Sequence, residues 1–139
     1  MRIIAATIVT IVLIGFQICV AKAQQGGCLN YPPSIVTLTG KISEHSFHTD
    51  PGSKYDRLET YWFLDLPHPI CTNSNGHEND DLYEGPEKNL ARLQLIVDQY
   101  PNDSWIGHDV VLTGTLEHAQ LGNQHTSVLL RVQTFQLAK

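Results

Sequence analysis

Two segments of this chain, residues 36–42 and 110–116, carry the same Leu-Thr-Gly-x-aliphatic pattern within an alternating run. Successive side chains of a β-strand point to opposite faces, so the aliphatic residues of each segment predict one buried face. Gly40 and Gly114 both lie on that face. A glycine inside a strand marks a bulge or a close approach by another backbone. The pair therefore predicts a fold with two strongly bent strands.

The alternation of apolar and polar residues predicts five strands in all. They are residues 35–47, 58–66, 90–98, 108–118 and 126–135. Pro67-His68-Pro69 is expected to end the second strand, because proline cannot donate to a strand ladder. In the third strand, Ala91, Leu93, Leu95 and Val97 are expected to face the core.

A short helical turn is predicted between the third and fourth strands. Asp103 or Ser104 can cap it, and Trp105 and Ile106 then plug one end of the core. Five strands, two inward glycines and this plug predict an all-β fold, a small five-stranded Greek-key barrel of the OB type. A sandwich of short strands is the alternative, since periodicity also fits that fold.

The N-terminus predicts the compartment. Arg2 precedes an almost continuous apolar run, residues 3–20, and Ala21-Lys22-Ala23 offers the small-x-small pattern of a signal-peptidase site. We expect a signal peptide over residues 1–23 and a single domain over 24–139. A membrane anchor is disfavoured because no basic stop-transfer cluster follows the run, and a lipoprotein is disfavoured because bulky Ile18 precedes Cys19. The mature chain is expected to be periplasmic or secreted, without a membrane anchor.

Charge narrows the class of partner. Arg2 and Lys22 are the charged residues of the leader, so 7 of 9 basic residues and all 14 acidic ones remain, a formal net charge of −7. Nucleic acid and anionic lipid both require a cationic surface, so neither is expected as a partner.

Two cysteines, Cys28 and Cys71, remain after the leader is removed. An even pair in a secreted chain predicts one disulfide. Closing a loop of this length stabilises the fold by about 4 kcal/mol in the chain-entropy model. A redox pair or a thiolate metal site is the alternative, and the wide spacing without a Cys-x-x-Cys motif favours the structural bond.

A set of segments covers most of the mature chain: residues 33–40, 59–62, 69–71, 111–116 and 125–130, together with His118 and Gly122. These segments resemble a family of secreted bacterial proteins known only as a domain of unknown function. The family often has proline where Ser127 stands and histidines where Asn123 and Gln124 stand. The resemblance implies a periplasmic location and a small β-barrel, and it implies no activity.

Histidines form the first candidate site. In an OB barrel the loop between strands one and two lies beside the loop between strands four and five. That rim would gather His45, His48, His118 and His125, a ligand set suited to zinc or copper. Against this, His45 and His48 are three residues apart, so on a regular strand they point to opposite faces. Rim histidines exposed to solvent are the simpler interpretation.

Tyr61 and Phe63 form the second candidate site, as an outward aromatic pair on strand two. OB barrels bind oligomers across this strand, and His118 and His125 would add polar contacts to a bound ligand. The alternative is that the pair packs beneath a loop.

No familiar catalytic motif is present in the sequence, and no catalytic residue is assigned. We expect a non-enzymatic periplasmic binding module for a protein or glycan, and no cofactor. One version is an inhibitor or immunity protein, whose acidic surface covers a basic cleft. The alternative is a metal-binding protein that uses the rim histidines, and a hydrolase is a third.

Overall fold

The computed structural model describes residues 27–79, 81, 83–99, 101 and 103–139, so the expected signal peptide lies outside the described residues. The strands are β1 (Val36–His48), β2 (Leu58–Ile70), β3 (Leu90–Ile96), β4 (Asp109–His118) and β5 (Val128–Leu137). They close into a barrel in the order β1-β2-β3-β5-β4. One 3-10 turn, Asp103–Trp105, lies between β3 and β4. The predicted OB-like barrel with its helical plug is confirmed.

The two glycines lie where backbones approach most closely. β1 pairs with β4 up to Lys41 and with β2 from Lys41 onwards, so the strand changes neighbours beside Gly40. A Cβ at Gly40 would lie 2.4 Å from the carbonyl oxygen of Asp65, and one at Gly114 only 2.1 Å from that of Arg131. Neither position has room for a side chain, which confirms the close approach expected of both glycines.

The barrel interior is a single apolar cluster built from all five strands. Its fully buried members include Leu64, Leu93, Leu112, Leu116 and Leu130. Trp105 and Ile106 pack against this cluster from the short helical turn, as predicted for the plug.

The N-terminal lead-in is fixed to the end of β2. Cys28 and Cys71 form the predicted disulfide. Beside it, the Leu29 amide donates to the Cys71 carbonyl at 2.7 Å. Tyr31 is only 3% exposed, and its hydroxyl donates to the Gly85 carbonyl at 3.0 Å. Burial raises the pKa of Tyr31.

Two details of β2 and β3 correct the sequence-based expectation. β2 does not end at Pro67 but continues through His68 and Pro69 to Ile70. The prolines are tolerated because the pairing with β3 is irregular between Asp65 and Ile70, so no regular ladder bond is lost there. The same irregularity changes the facing at the start of β3: Leu90 is buried, whereas Ala91 is exposed.

Among the described residues, no helix has the length and apolar character needed to cross a membrane.

Candidate functional site

A cluster of rings covers the outer face of the β1–β2 hairpin. Phe63 is only 1% exposed, with the ring of Phe47 6.1 Å away, the ring of His45 5.3 Å away and the Arg92 guanidinium 5.6 Å above it. Phe63 therefore offers little surface to a ligand, and its role in ligand binding stays a prediction. It packs under neighbouring side chains because the β1–β2 hairpin brings three rings to the same outer face and the adjacent strand β3 adds the Arg92 cation. Tyr61 beside it is half-buried.

His125 joins this cluster from the loop between β4 and β5, residues 119–127. Its imidazole stacks on Phe47 with 3.6 Å between ring centroids and 7° between the ring planes, and Tyr61 lies 5.2 Å away. The expected approach of the β4–β5 loop to the β1–β2 hairpin is thus confirmed. The contact is an aromatic stack that holds the loop against the barrel.

Gln94, in the middle of β3, anchors the same loop. The residue is 4% exposed, although Leu93 and Leu95 on either side of it face the core. Its side-chain Nε2 donates to the Asn123 carbonyl at 3.2 Å, and its Oε1 accepts from the His125 amide at 2.6 Å. Both ends of the carboxamide are satisfied, so the loop is held at two adjacent points. Sequence reasoning missed this anchor, whose one signal is a carboxamide between two core leucines.

His118 fixes the loop between β2 and β3, residues 71–89, to the end of β4. Its Nε2 lies 3.0 Å from Glu87 Oε1 and its Nδ1 lies 3.2 Å from the Ala119 carbonyl oxygen. Its backbone amide donates to Glu84 Oε1 at 3.3 Å. His118 therefore links the β2–β3 loop to the end of β4 and to the start of the β4–β5 loop.

The four histidines of the metal hypothesis are not brought together. His45 packs edge-on against Phe63, and His48 bonds to Asp56 at 2.6 Å in the β1–β2 loop. His118 and His125 have the separate partners described above. The described part of the chain contains no group of three or more His, Cys, Asp or Glu side chains able to hold a metal ion. The rim forms as expected, and each histidine of the set has its own partner there, so a zinc or copper site stays a prediction.

A cleft of about 600 Å³ opens where the two anchored loops meet the barrel. Ile96 of β3 and Val97, the residue that follows this strand, form part of its floor, and Tyr61 also lines it. Gln120, Leu121 and further residues of the β4–β5 loop line another wall. This volume lies within the range of small-molecule sites.

The charges in the cleft are compensated. Arg131 donates two hydrogen bonds to Glu117: its Nη2 donates to Oε2 at 3.1 Å, and its Nε donates to Oε1. The hydrogen bond to Glu117 raises the pKa of Arg131. Glu84, which also lines the cleft, accepts a hydrogen bond from the backbone amide of His118. The guanidinium is thus already paired, and the cleft has no excess positive charge with which to attract a phosphate.

A smaller pocket of about 280 Å³ continues from the cleft across the β2–β3 loop. Pro32, Asn75 and His77 line it, and it shares Glu84 and Gln120 with the main cleft. The two depressions therefore adjoin at these two side chains.

No protein-family model matches this chain. A search of curated proteins also found no match.

Proposed function

We propose that this protein is a non-enzymatic binding module of the periplasm or the extracellular space, and that it holds its ligand in the cleft between the two anchored loops. The observation that carries the proposal is the position of the cleft: it lies beside β3 and the β4–β5 loop, the part of an OB barrel that binds ligands. The Cys28–Cys71 bond supports an oxidising compartment.

The loops that form the cleft are fixed before any ligand arrives. Gln94 and the stacked His125 hold one of them, and His118 holds the other. A preformed site spends less binding free energy on ordering its own residues. This rigidity supports a binding role.

The ionisable groups of the cleft are already engaged in structural pairs. Glu117 is bonded to Arg131, and His118 contacts Glu87. Apart from Glu84 and Tyr61, the rest of the cleft lining consists of carboxamides and aliphatic side chains, which bind molecules but do not transfer protons at neutral pH. This supports binding over catalysis.

A site-specific photo-crosslinker tests the proposal. A benzophenone amino acid replaces Leu121, 65% exposed at the cleft, or Ile35, 64% exposed and outside the cleft lining, as the matched control. We expect light-dependent adducts at Leu121 and none at Ile35 when the full chain is expressed in its own host. Equal labelling at the two positions, or none at either, would contradict the proposal.

The mass of the adduct separates two kinds of partner. The formal net charge of −7 over residues 24–139 favours a basic protein as the alternative ligand, in keeping with an inhibitor or immunity role. A protein-sized adduct at Leu121 would support that version, whereas a small mass increment would support a low-molecular-weight ligand.

A further inference from the structure

The cleft and the smaller pocket adjoin at two shared side chains, and the two depressions together are called the groove. Glu84 and Gln120 line both depressions, so a ligand chain that leaves the cleft past Gln120 enters the pocket lined by Asn75 and His77. A groove with two adjoining compartments fits a ligand made of repeated units better than it fits a single compact molecule.

Free carboxamides line the cleft. The side chains of Gln120 and Asn123, both exposed, make no hydrogen bond to any other residue in the described parts of the chain. Gln124 uses its Oε1 to accept from the Leu121 amide at 2.6 Å, which leaves its NH₂ group available. Each free carboxamide offers one acceptor and two donors, and each hydroxyl of a sugar both donates and accepts. Carboxamide and hydroxyl groups are therefore matched without any charge.

Aliphatic surface lies beside these polar groups. Ile96 and Val97 are half-buried in the floor, and Leu121 is 65% exposed at the rim. A sugar ring has a hydroxyl edge and a C–H face, so it can satisfy the carboxamides while it covers the aliphatic surface.

Two other ligand classes fit the groove less well. An anionic ligand meets Glu84 and Glu117, and Arg131 is already bonded to Glu117. An extended peptide that adds to a sheet needs a free strand edge. Along the cleft, residues 94–96 of β3 pair with residues 129–131 of β5, so those facing edges are occupied.

We infer that this groove binds a neutral, hydroxyl-rich oligosaccharide of more than one sugar unit, with Gln120 contacting it where the two compartments meet. The inference rests on the proposed binding function and adds the chemical class of the ligand. Short oligomers occupy the cleft beside Asn123, and longer ones extend to His77.

Titrations monitored by amide NMR test the inference. The probes are glucose, N-acetylglucosamine, galactose and mannose oligomers, from monomer to hexamer, added to the purified protein with its disulfide intact. We expect the affinity for at least one series to rise with length and then level off. The amide signals of residues 120–123 should shift with short oligomers, and that of His77 should shift only with longer ones.

Variants assign the contacts. Gln120→Ala and Asn123→Ala should each weaken oligomer binding about 5- to 10-fold, the loss of one hydrogen-bonded pair. Gln136→Ala removes an exposed carboxamide of β5 outside the cleft lining and should leave the affinity unchanged. His77→Ala should weaken binding of long oligomers only.

Three results would overturn the inference: no binding by any sugar series, equal affinity for monomers and hexamers, or the same loss of affinity in Gln136→Ala as in Gln120→Ala. A cleft-specific adduct at Leu121 combined with no sugar binding would refute the oligosaccharide and leave the binding function standing. Absence of both would refute the two together.

Discussion

Replacing Gly114 by alanine should destabilise the barrel, because the new methyl group would clash with the backbone of β5. The new Cβ would lie 2.1 Å from the carbonyl oxygen of Arg131 and 2.9 Å from its carbonyl carbon. Both are backbone atoms of β5, so the clash is relieved only when one strand moves. Overpacking of this kind costs about 1–3 kcal/mol, and a backbone clash belongs at the upper end.

Part of that cost is offset in the unfolded state. Alanine restricts the unfolded chain more than glycine does, which favours the folded state by about 0.4–1 kcal/mol. The expected net loss for Gly114→Ala is therefore about 2 kcal/mol, a substantial part of the 5–15 kcal/mol that stabilises a typical domain.

Urea unfolding followed by tryptophan fluorescence measures this loss. Gly122→Ala is the matched control, because a Cβ there meets nothing within 4 Å, and its stability should stay within about 0.5 kcal/mol of the parent protein. Gly40→Ala, whose Cβ would lie 2.4 Å from the Asp65 carbonyl oxygen, should resemble Gly114→Ala. If Gly114→Ala and Gly122→Ala unfold at the same urea concentration with the same slope, close backbone approach is not the reason for the glycine.

Three further predictions concern the bonds that hold the loops. Replacing Cys28 and Cys71 by serine should lower the unfolding free energy by about 4 kcal/mol in the chain-entropy model, and an unchanged urea midpoint would contradict it. Gln94→Leu leaves the His125 amide without its acceptor, at a cost of about 1–3 kcal/mol, and should speed hydrogen exchange of that amide. Gln94→Glu keeps an acceptor, so its exchange rate should lie between those of the parent protein and Gln94→Leu. If the His125 amide exchanges as slowly in both variants as in the parent protein, Gln94 does not anchor the loop. A hydrogen bond from the Asp50 backbone amide, together with the neighbouring His48 imidazole, lowers the pKa of Asp56. The carboxylate therefore stabilises its loop fully above the unfolded-state pKa of about 3.9, and this stabilisation is lost as the pH falls through the lower folded-state pKa. The NMR shift of the Asp50 amide, which donates to this carboxylate, should follow that titration. If the same titration curve appears in Asp56→Asn, the titrating group is not Asp56 and the prediction is refuted.

The sequence predicts the barrel well because the evidence for it is local. Alternation along β4 determines which side chains enter the core, and the glycines at positions 40 and 114 mark where two backbones approach. Alternation fails where pairing is irregular, as at Ala91, because the facing of a residue then depends on how the neighbouring strand is aligned.

The candidate site is predicted only in outline. The sequence correctly places the β4–β5 loop beside the β1–β2 hairpin, since OB topology requires it. It does not reveal that His125 stacks on Phe47 or that His118 contacts Glu87. Four histidines near one rim suggest a metal site when their individual partners are unknown.

The sequence by itself determines the all-β architecture, the two glycine contacts and the disulfide. Each of these follows from local patterns or from a unique pair of cysteines. The tertiary structure decides which polar groups hold the loops and which remain free for a ligand. Gln94 and the residues it anchors are about 30 positions apart, so no local pattern links them. Because a hydrogen bond or an ion pair depends on the final position of both partners, only the folded chain distinguishes the paired Arg131 from the free carboxamides of Gln120 and Asn123.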